Sequence, residues 1–206
     1  MIMETDWTEH WNMNNGISWN MWTWRIAYAY KKLLKNIKLN DVRILELGSG
    51  SGFNSLKLAK IFKTKEITLV DSNKKAISIS KKIFENSGLK VNYLKKDVLK
   101  IDVKEKFDIV HSEGLIEHFY GKKRFATFKK HIDLCKEDGI VIIFAPYENI
   151  NYKVFRSFYK KFNKWIWDEE PLTKEELHDL CEQFNMKILN EYSSPLIHEI
   201  GILLKK

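Results

Sequence analysis

Short apolar and β-branched runs alternate along the chain with longer stretches of helical spacing, a pattern that predicts parallel strands joined by crossover helices. Val42–Leu47 reads as a first buried strand, followed by a glycine turn and a helix to about Phe62. Glu66–Val70 is a second strand ending at Asp71, and Lys74–Asn86 a helix with Gly88 beyond it as a stop. Val91–Leu94 and Phe107–His111 give the third and fourth strands. A helix over Lys123–Lys136 stops near Gly139, and the almost wholly apolar Ile140–Ala145 is a central fifth strand. Thr173 and Glu176 have capping-box spacing, so a helix begins there and runs to about Asn185. Lys187–Tyr192 and Glu199–Leu204 are the final strands. The link between them, Ser193–His198 with Pro195, is too short for a crossover helix, so they pair antiparallel.

Two segments stand outside this alternation. Residues 1–40 hold five of the seven tryptophans (Trp7, Trp11, Trp19, Trp22, Trp24) and are read as a helical, Trp-rich lid on a domain spanning 41–206. Trp19, Trp22, Ile26, Ala29, Tyr30 and Leu33 suit one helix face, while Trp7 and Trp11 suit an aromatic acceptor pocket, a cation–π cover over a methylammonium group, or simple packing. Residues 147–171 interrupt the sheet as a lid insertion. There Tyr152, Phe155, Phe158, Tyr159, Phe162, Trp165 and Ile166 form an apolar helical stripe flanked by Lys153, Arg156, Lys160, Lys161 and Lys164. Such a helix packs on its own domain, closes over an anionic acceptor, or rests on an anionic membrane.

Composition narrows the class. With 44% hydrophobic residues, 206 residues suffice for one packed domain. No apolar run approaches the roughly 20 residues of a membrane span, and the N-terminal stretch does not read as a signal peptide, so a cytoplasmic location is expected. Cys135 and Cys181 both fall in stretches of helical periodicity and read as thiols of a reducing compartment. No Cys/His cluster has zinc-ligand spacing, and no metal is expected. The net charge of +8 favours acidic partners, but the lysines are spread as on solvated helix faces.

The candidate chemistry centres on Ile44–Phe53, where glycines 48, 50 and 52 stand between a strand and a helix. Glycine there lets backbone approach a ligand without a Cβ in the way. A dinucleotide fingerprint needs its third glycine at 53, which is Phe53, and a Walker loop needs Gly-Lys-Ser/Thr. Glu46 would repel a pyrophosphate but suits a ligand carrying an ammonium. Asp71, at the end of the second strand, is placed to accept ribose hydroxyls, and Asp97 an exocyclic amine such as adenine N6. Aspartates also suit helix caps and turns without any ligand.

Glu46–Gly52, Asp71, Asp97, Phe107–Phe119 and Asp138–Pro146 together resemble the class I S-adenosylmethionine-dependent methyltransferases in order and spacing. The resemblance implies an α/β, Rossmann-like fold: a seven-stranded, mostly parallel sheet with an antiparallel last strand and helices on both faces. It also implies S-adenosyl-L-methionine as cofactor. The residues expected to hold it are Glu46, Gly48, Ser49, Gly50, Gly52, Asp71, Ser72, Asp97, Val98 and Ser112.

Methyl transfer needs a positioned nucleophile and, for a hydroxyl or ammonium acceptor, a base. Glu113 and His118 are the candidate bases, with Tyr120 as a positioning hydroxyl. After the fourth strand there is no Asn-Pro-Pro-aromatic motif, and the chain has no Pro-Cys pair. A small-molecule oxygen or nitrogen acceptor, anionic or aromatic, is therefore expected. RNA, a lipid in the manner of the cyclopropane synthases (a resemblance of Glu113 and Ile116–Phe119, with Arg124 and Phe128), and a non-catalytic cofactor-binding subunit stand as alternatives.

Overall fold

The computed structural model describes residues 5–13, 17–162, 165, 168–194 and 198–206, with the side chains of 12–13, 17–24 and 194 excluded. The side chains of Trp19, Trp22 and Trp24, and all of Lys164, Ile166 and Pro195, named above, lie outside what is described. Among the described residues the strands are β1 (Val42–Leu47), β2 (Thr64–Asp71), β3 (Val91–Lys95), β4 (Phe107–Glu113), β5 (Cys135–Pro146), β6 (Lys187–Ser194) and β7 (Glu199–Lys205). They form one seven-stranded sheet in the order β3-β2-β1-β4-β5-β7-β6. Strands β1 to β5 run parallel, and β7 pairs antiparallel with both β5 and β6.

The helices are α1 (Trp7–Met13), α2 (Ile17–Leu33), α3 (Phe53–Ile61), α4 (Lys74–Phe84), α5 (Lys122–Leu134), α6 (Ile150–Lys161) and α7 (Lys174–Gln183). Alternate residues of each central strand feed two separate cores, as a sheet covered on both faces requires. Leu45, Val110, Val141 and Ile202 meet Phe128 of α5 and Leu177 of α7. Ile44, Ile67, Ile109 and Phe144 meet Ile26, Ala29, Tyr30 and Leu33 of α2, Leu58 of α3 and Phe84 of α4. Residues 26–33 are thus a core layer of the sheet rather than a cover over its edge.

Helix starts follow side-chain chemistry. The Asn73 side chain accepts from Lys75 N and Ala76 N, and Thr173 Oγ1 accepts from Glu176 N at 3.1 Å. The Glu176 carboxylate takes no part in a reciprocal cap; it meets Arg124 instead.

Three expectations need correction. Helix α5 ends at Leu134, and β5 begins at Cys135, which pairs with Phe107. Gly139 is not a helix stop: it lies within β5, where a Cβ would come 2.5 Å from Cys135 Sγ and 3.0 Å from the Asp108 carbonyl oxygen. A register shift carries the polar residues 136–138 past the ladder, and that interruption hid the strand's first residues. Cys135 is consequently a strand residue; it and Cys181, in α7, are both buried and free. On α6 Tyr152 is buried, but Phe155 and Phe158, and Phe162 just past its end, are exposed. No described helix is long and apolar enough to cross a membrane.

Candidate functional site

The chain leaves β1 for β2 and β3 on one side and returns to β4 on the other, which makes the carboxyl ends of β1 and β4 the switch point where α/β sheets bind ligands. The turn after β1 has Gly48, Gly50 and Gly52 at φ +64°, +51° and +71°, a region that costs glycine nothing. A Cβ on Gly48 would come 2.6 Å from Leu115 Cδ1, so the turns after β1 and β4 interlock there. Ser49 is buried and its Oγ has no hydrogen-bond partner. Such an orphan beside glycine backbone is a mark of a ligand cradle.

Acids flank the cradle. Asp71 accepts from Gly50 N and from Asn73 N, each at 2.8 Å, so it fixes the turn while each oxygen keeps a free lone pair. Burial pushes its pKa up against these two bonds. Glu46 is 2% exposed, and its Oε2 accepts from Ser55 N at 3.3 Å in the first turn of α3. Burial raises its pKa to about 8, and the charges of Glu113 and Asp71 add to that. Beside it His111 lies between Tyr30 Oη at 3.1 Å and Ser55 Oγ at 2.8 Å. Asp97 caps the short turn Val98–Lys100 by accepting from Leu99 N, and Val98 is buried. Ser72 is exposed, next to Asp71. Ser112 points into the core, where its Oγ–H donates to His131 Nε2 at 2.9 Å.

The end of β4 carries a second constellation. Glu113 accepts from Asn54 Nδ2 at 3.1 Å, which ties it to the helix following the glycine turn. It also shares a hydrogen bond with the Glu199 carboxyl of β7, whose pKa burial and the Glu113 charge hold far above the usual range. In the turn Ile116–His118, Glu117 is 1% exposed and its pKa is pushed up by burial and by Glu169. His118 Nδ1–H donates to the Asp168 carbonyl, and Tyr120 Oη–H to Asp168 Oδ1 at 2.6 Å. Arg124 ties this turn to α7: Nε donates to Phe119 O, and the two Nη groups reach Glu176 and Glu170.

Helix α1 lies over both constellations. A Cβ on Gly50 would stand 2.5 Å from the Trp11 ring, while Trp7 sets its edge on His118 at a centroid distance of 4.8 Å. Thr8 Oγ1 accepts from Asn73 Nδ2, and Thr5 Oγ1 from Asp168 N. Trp7 and Trp11 therefore serve different sides of the edge. The sequence did not single out Glu169, Glu199, Asn54 or the separate placing of Trp11; Glu117 entered only within the Ile116–Phe119 resemblance.

Glu46→Gln should act in opposite directions on stability and on ligand. An acid whose native pKa is raised binds more protons folded than unfolded, so stability falls as pH rises from about 4.5 to about 8. Glutamine removes that loss and should raise the ligand-free unfolding free energy at pH 8.5 by on the order of 1–3 kcal/mol, while weakening a ligand that carries an ammonium. Thermal unfolding at pH 5 and pH 8.5 checks the first half.

A family model described as a methyltransferase domain matches residues 38–196. The chain is 25% identical over 167 residues to a release factor glutamine methyltransferase of Flavobacterium psychrophilum, covering 79% of this chain but 58% of that protein's length. It is 24% identical to a ubiquinone biosynthesis O-methyltransferase of Pelagibacter ubique, over 80% of this chain and 72% of that one. Among solved structures, the fold is shared with the N-methyltransferase NodS of Bradyrhizobium japonicum in complex with S-adenosylhomocysteine. There the TM-score is 0.68 at 12% identity, over 95% of this chain and 91% of that one. The magnesium protoporphyrin IX methyltransferase of Synechocystis gives 0.70 at 12% identity, over 96% and 92%.

Proposed function

The chain belongs to the class I S-adenosylmethionine-dependent methyltransferases, and we propose on that premise that it methylates an oxygen or nitrogen of a small molecule. S-adenosylmethionine, when bound, supplies a sulfonium methyl already activated for in-line displacement, which leaves the protein to position, dry and deprotonate the acceptor. The cradle fits this ligand: glycine backbone open to close approach, an orphan Ser49 Oγ, and lone pairs left on Asp71. Glu46 and the glycine turn take the methionyl end, Asp71 the ribose hydroxyls, and Asp97 with Val98 the adenine. Glu113 removes the acceptor's proton, with His118 and Tyr120 walling the acceptor side and α1 excluding water.

The observation that carries this reading is the bond from Asn54 to Glu113, which joins the acid at the end of β4 to the helix of the cofactor turn. A lipid acceptor draws support from α6 and its end, where exposed Phe155, Phe158 and Phe162 stand among lysines. Labelled-methyl transfer to three panels separates the readings: small amines, phenols and carboxylates; RNA; and anionic phospholipid vesicles. A labelled small molecule is expected, with Glu113→Gln lowering turnover by roughly 10²-fold or more. Label found only in RNA or lipid would remove the small-molecule reading.

A further inference from the structure

We propose that Glu117, His118 and Glu169 form a binding site for one divalent metal ion, with Mn²⁺ or Zn²⁺ preferred over Mg²⁺. One ligand atom from each of the three lies within 4.8 Å of the others, on two segments far apart in the chain. Metal–ligand bonds near 2.1 Å bring neighbouring donors to roughly 3–4 Å, a contraction that small side-chain rotations supply. The Glu170 N–H donates to Glu117 O at 3.0 Å and holds the 168–170 segment against the turn that carries Glu117 and His118.

Each donor is oriented as a ligand needs to be. His118 donates its Nδ1–H to the Asp168 carbonyl, which leaves the Nε2 lone pair facing Glu117, with Nε2 3.8 Å from Oε1. Tyr152 Oη–H donates to Glu169 Oε1 at 2.7 Å and fixes that carboxylate. Independently of the clustering, Glu117 Oε2 is buried and has no hydrogen-bond partner. A buried carboxylate oxygen without a donor is costly, and a cation is the partner that resolves it. The nearby Arg124 guanidinium is already committed to Phe119 O, Glu170 and Glu176.

One imidazole and two carboxylates suit a first-row divalent ion better than Mg²⁺, which prefers oxygen and keeps its waters. Three protein ligands leave a position open for water or for an acceptor atom. The site itself does not depend on which acceptor is used.

Calorimetric titration of the cofactor-free protein with MnCl₂, ZnCl₂ and MgCl₂ tests this without any activity assay. One Mn²⁺ or Zn²⁺ per chain is expected, with affinity lowered roughly 10- to 100-fold in Glu117→Gln, His118→Gln and Glu169→Gln. It should stay unchanged in Asp138→Asn, an exposed acid of β5 outside the site. Circular dichroism of each variant establishes folding, and either of His118→Gln or Glu169→Gln decides the matter if Glu117→Gln does not fold. Absence of saturable binding to wild-type protein, or binding that survives these substitutions in folded protein, would overturn the site.

Discussion

Asp71→Ala should weaken S-adenosylmethionine binding by about 10²-fold or more while leaving the sheet intact. The carboxylate has two tasks on opposite sides of the turn. It accepts from Gly50 N and Asn73 N, and so sets the backbone at the glycine turn and the entry to α4. Its remaining lone pairs are the ones that the proposed reading gives to the ribose hydroxyls. Two charge-assisted hydrogen bonds to the ribose are worth about 1.5–3 kcal/mol each, and alanine removes both together with the support of the turn. The structural share of the loss should be small, because Asp71 lies at the end of β2, outside both apolar cores. Asp71→Asn, which keeps one oxygen for the backbone, should fall between wild type and alanine. Calorimetry with S-adenosylmethionine and a melting curve for each variant separate the two tasks; unchanged affinity in Asp71→Ala would place the ribose elsewhere.

Gly201→Ala should destabilise the fold by about 2–4 kcal/mol. Gly201 pairs across the β5–β7 ladder with Phe144, and an added Cβ would stand 2.1 Å from Phe144 Cε1. The ring cannot swing away, because Phe144 is fully buried with Tyr30 of α2 at a centroid distance of 4.8 Å. Either β7 moves out of register or Phe144 leaves its rotamer, and both disturb the core beneath α2. For a chain of this size that cost corresponds to a melting point lower by roughly 5–15 °C. A shift within about a degree would mean that Phe144 does not lie over β7.

The backbone plan was legible because it rests on local pattern. The strand at Val42–Leu47 has the residues expected, and β3 and β4 start at Val91 and Phe107 as read, since short apolar runs between turn residues admit few alternatives. The antiparallel pairing of β6 with β7 followed from the length of one loop. What failed locally was Cys135–Gly139, where a bulge interrupts the apolar alternation that identifies a strand.

The site divides along the same line. Glu46, the glycines and Asp71 lie at strand ends and turns, so their spacing carries their placement. Glu117 and Glu169 meet only through tertiary packing, with the Glu170 N–H donating to Glu117 O and holding the stretch after α6 against the turn that follows β4. Glu199 reaches Glu113 only because β7 inserts beside β5. Nothing in the spacing of these acids announces contacts made by tertiary packing. Trp11 over Gly50 is a contact of the same kind, between a short N-terminal helix and a turn far along the chain.

The most direct test is a crystal structure of the protein with S-adenosylhomocysteine. The ligand should lie along the carboxyl ends of β1 and β2, its amino-acid end against Gly48–Gly52 and Glu46 and its ribose hydroxyls on Asp71. Its sulfur should face Glu113. No bound ligand at saturating concentration, or a ligand seated away from the β1–β4 switch point, would contradict the assignment of this edge as the cofactor site.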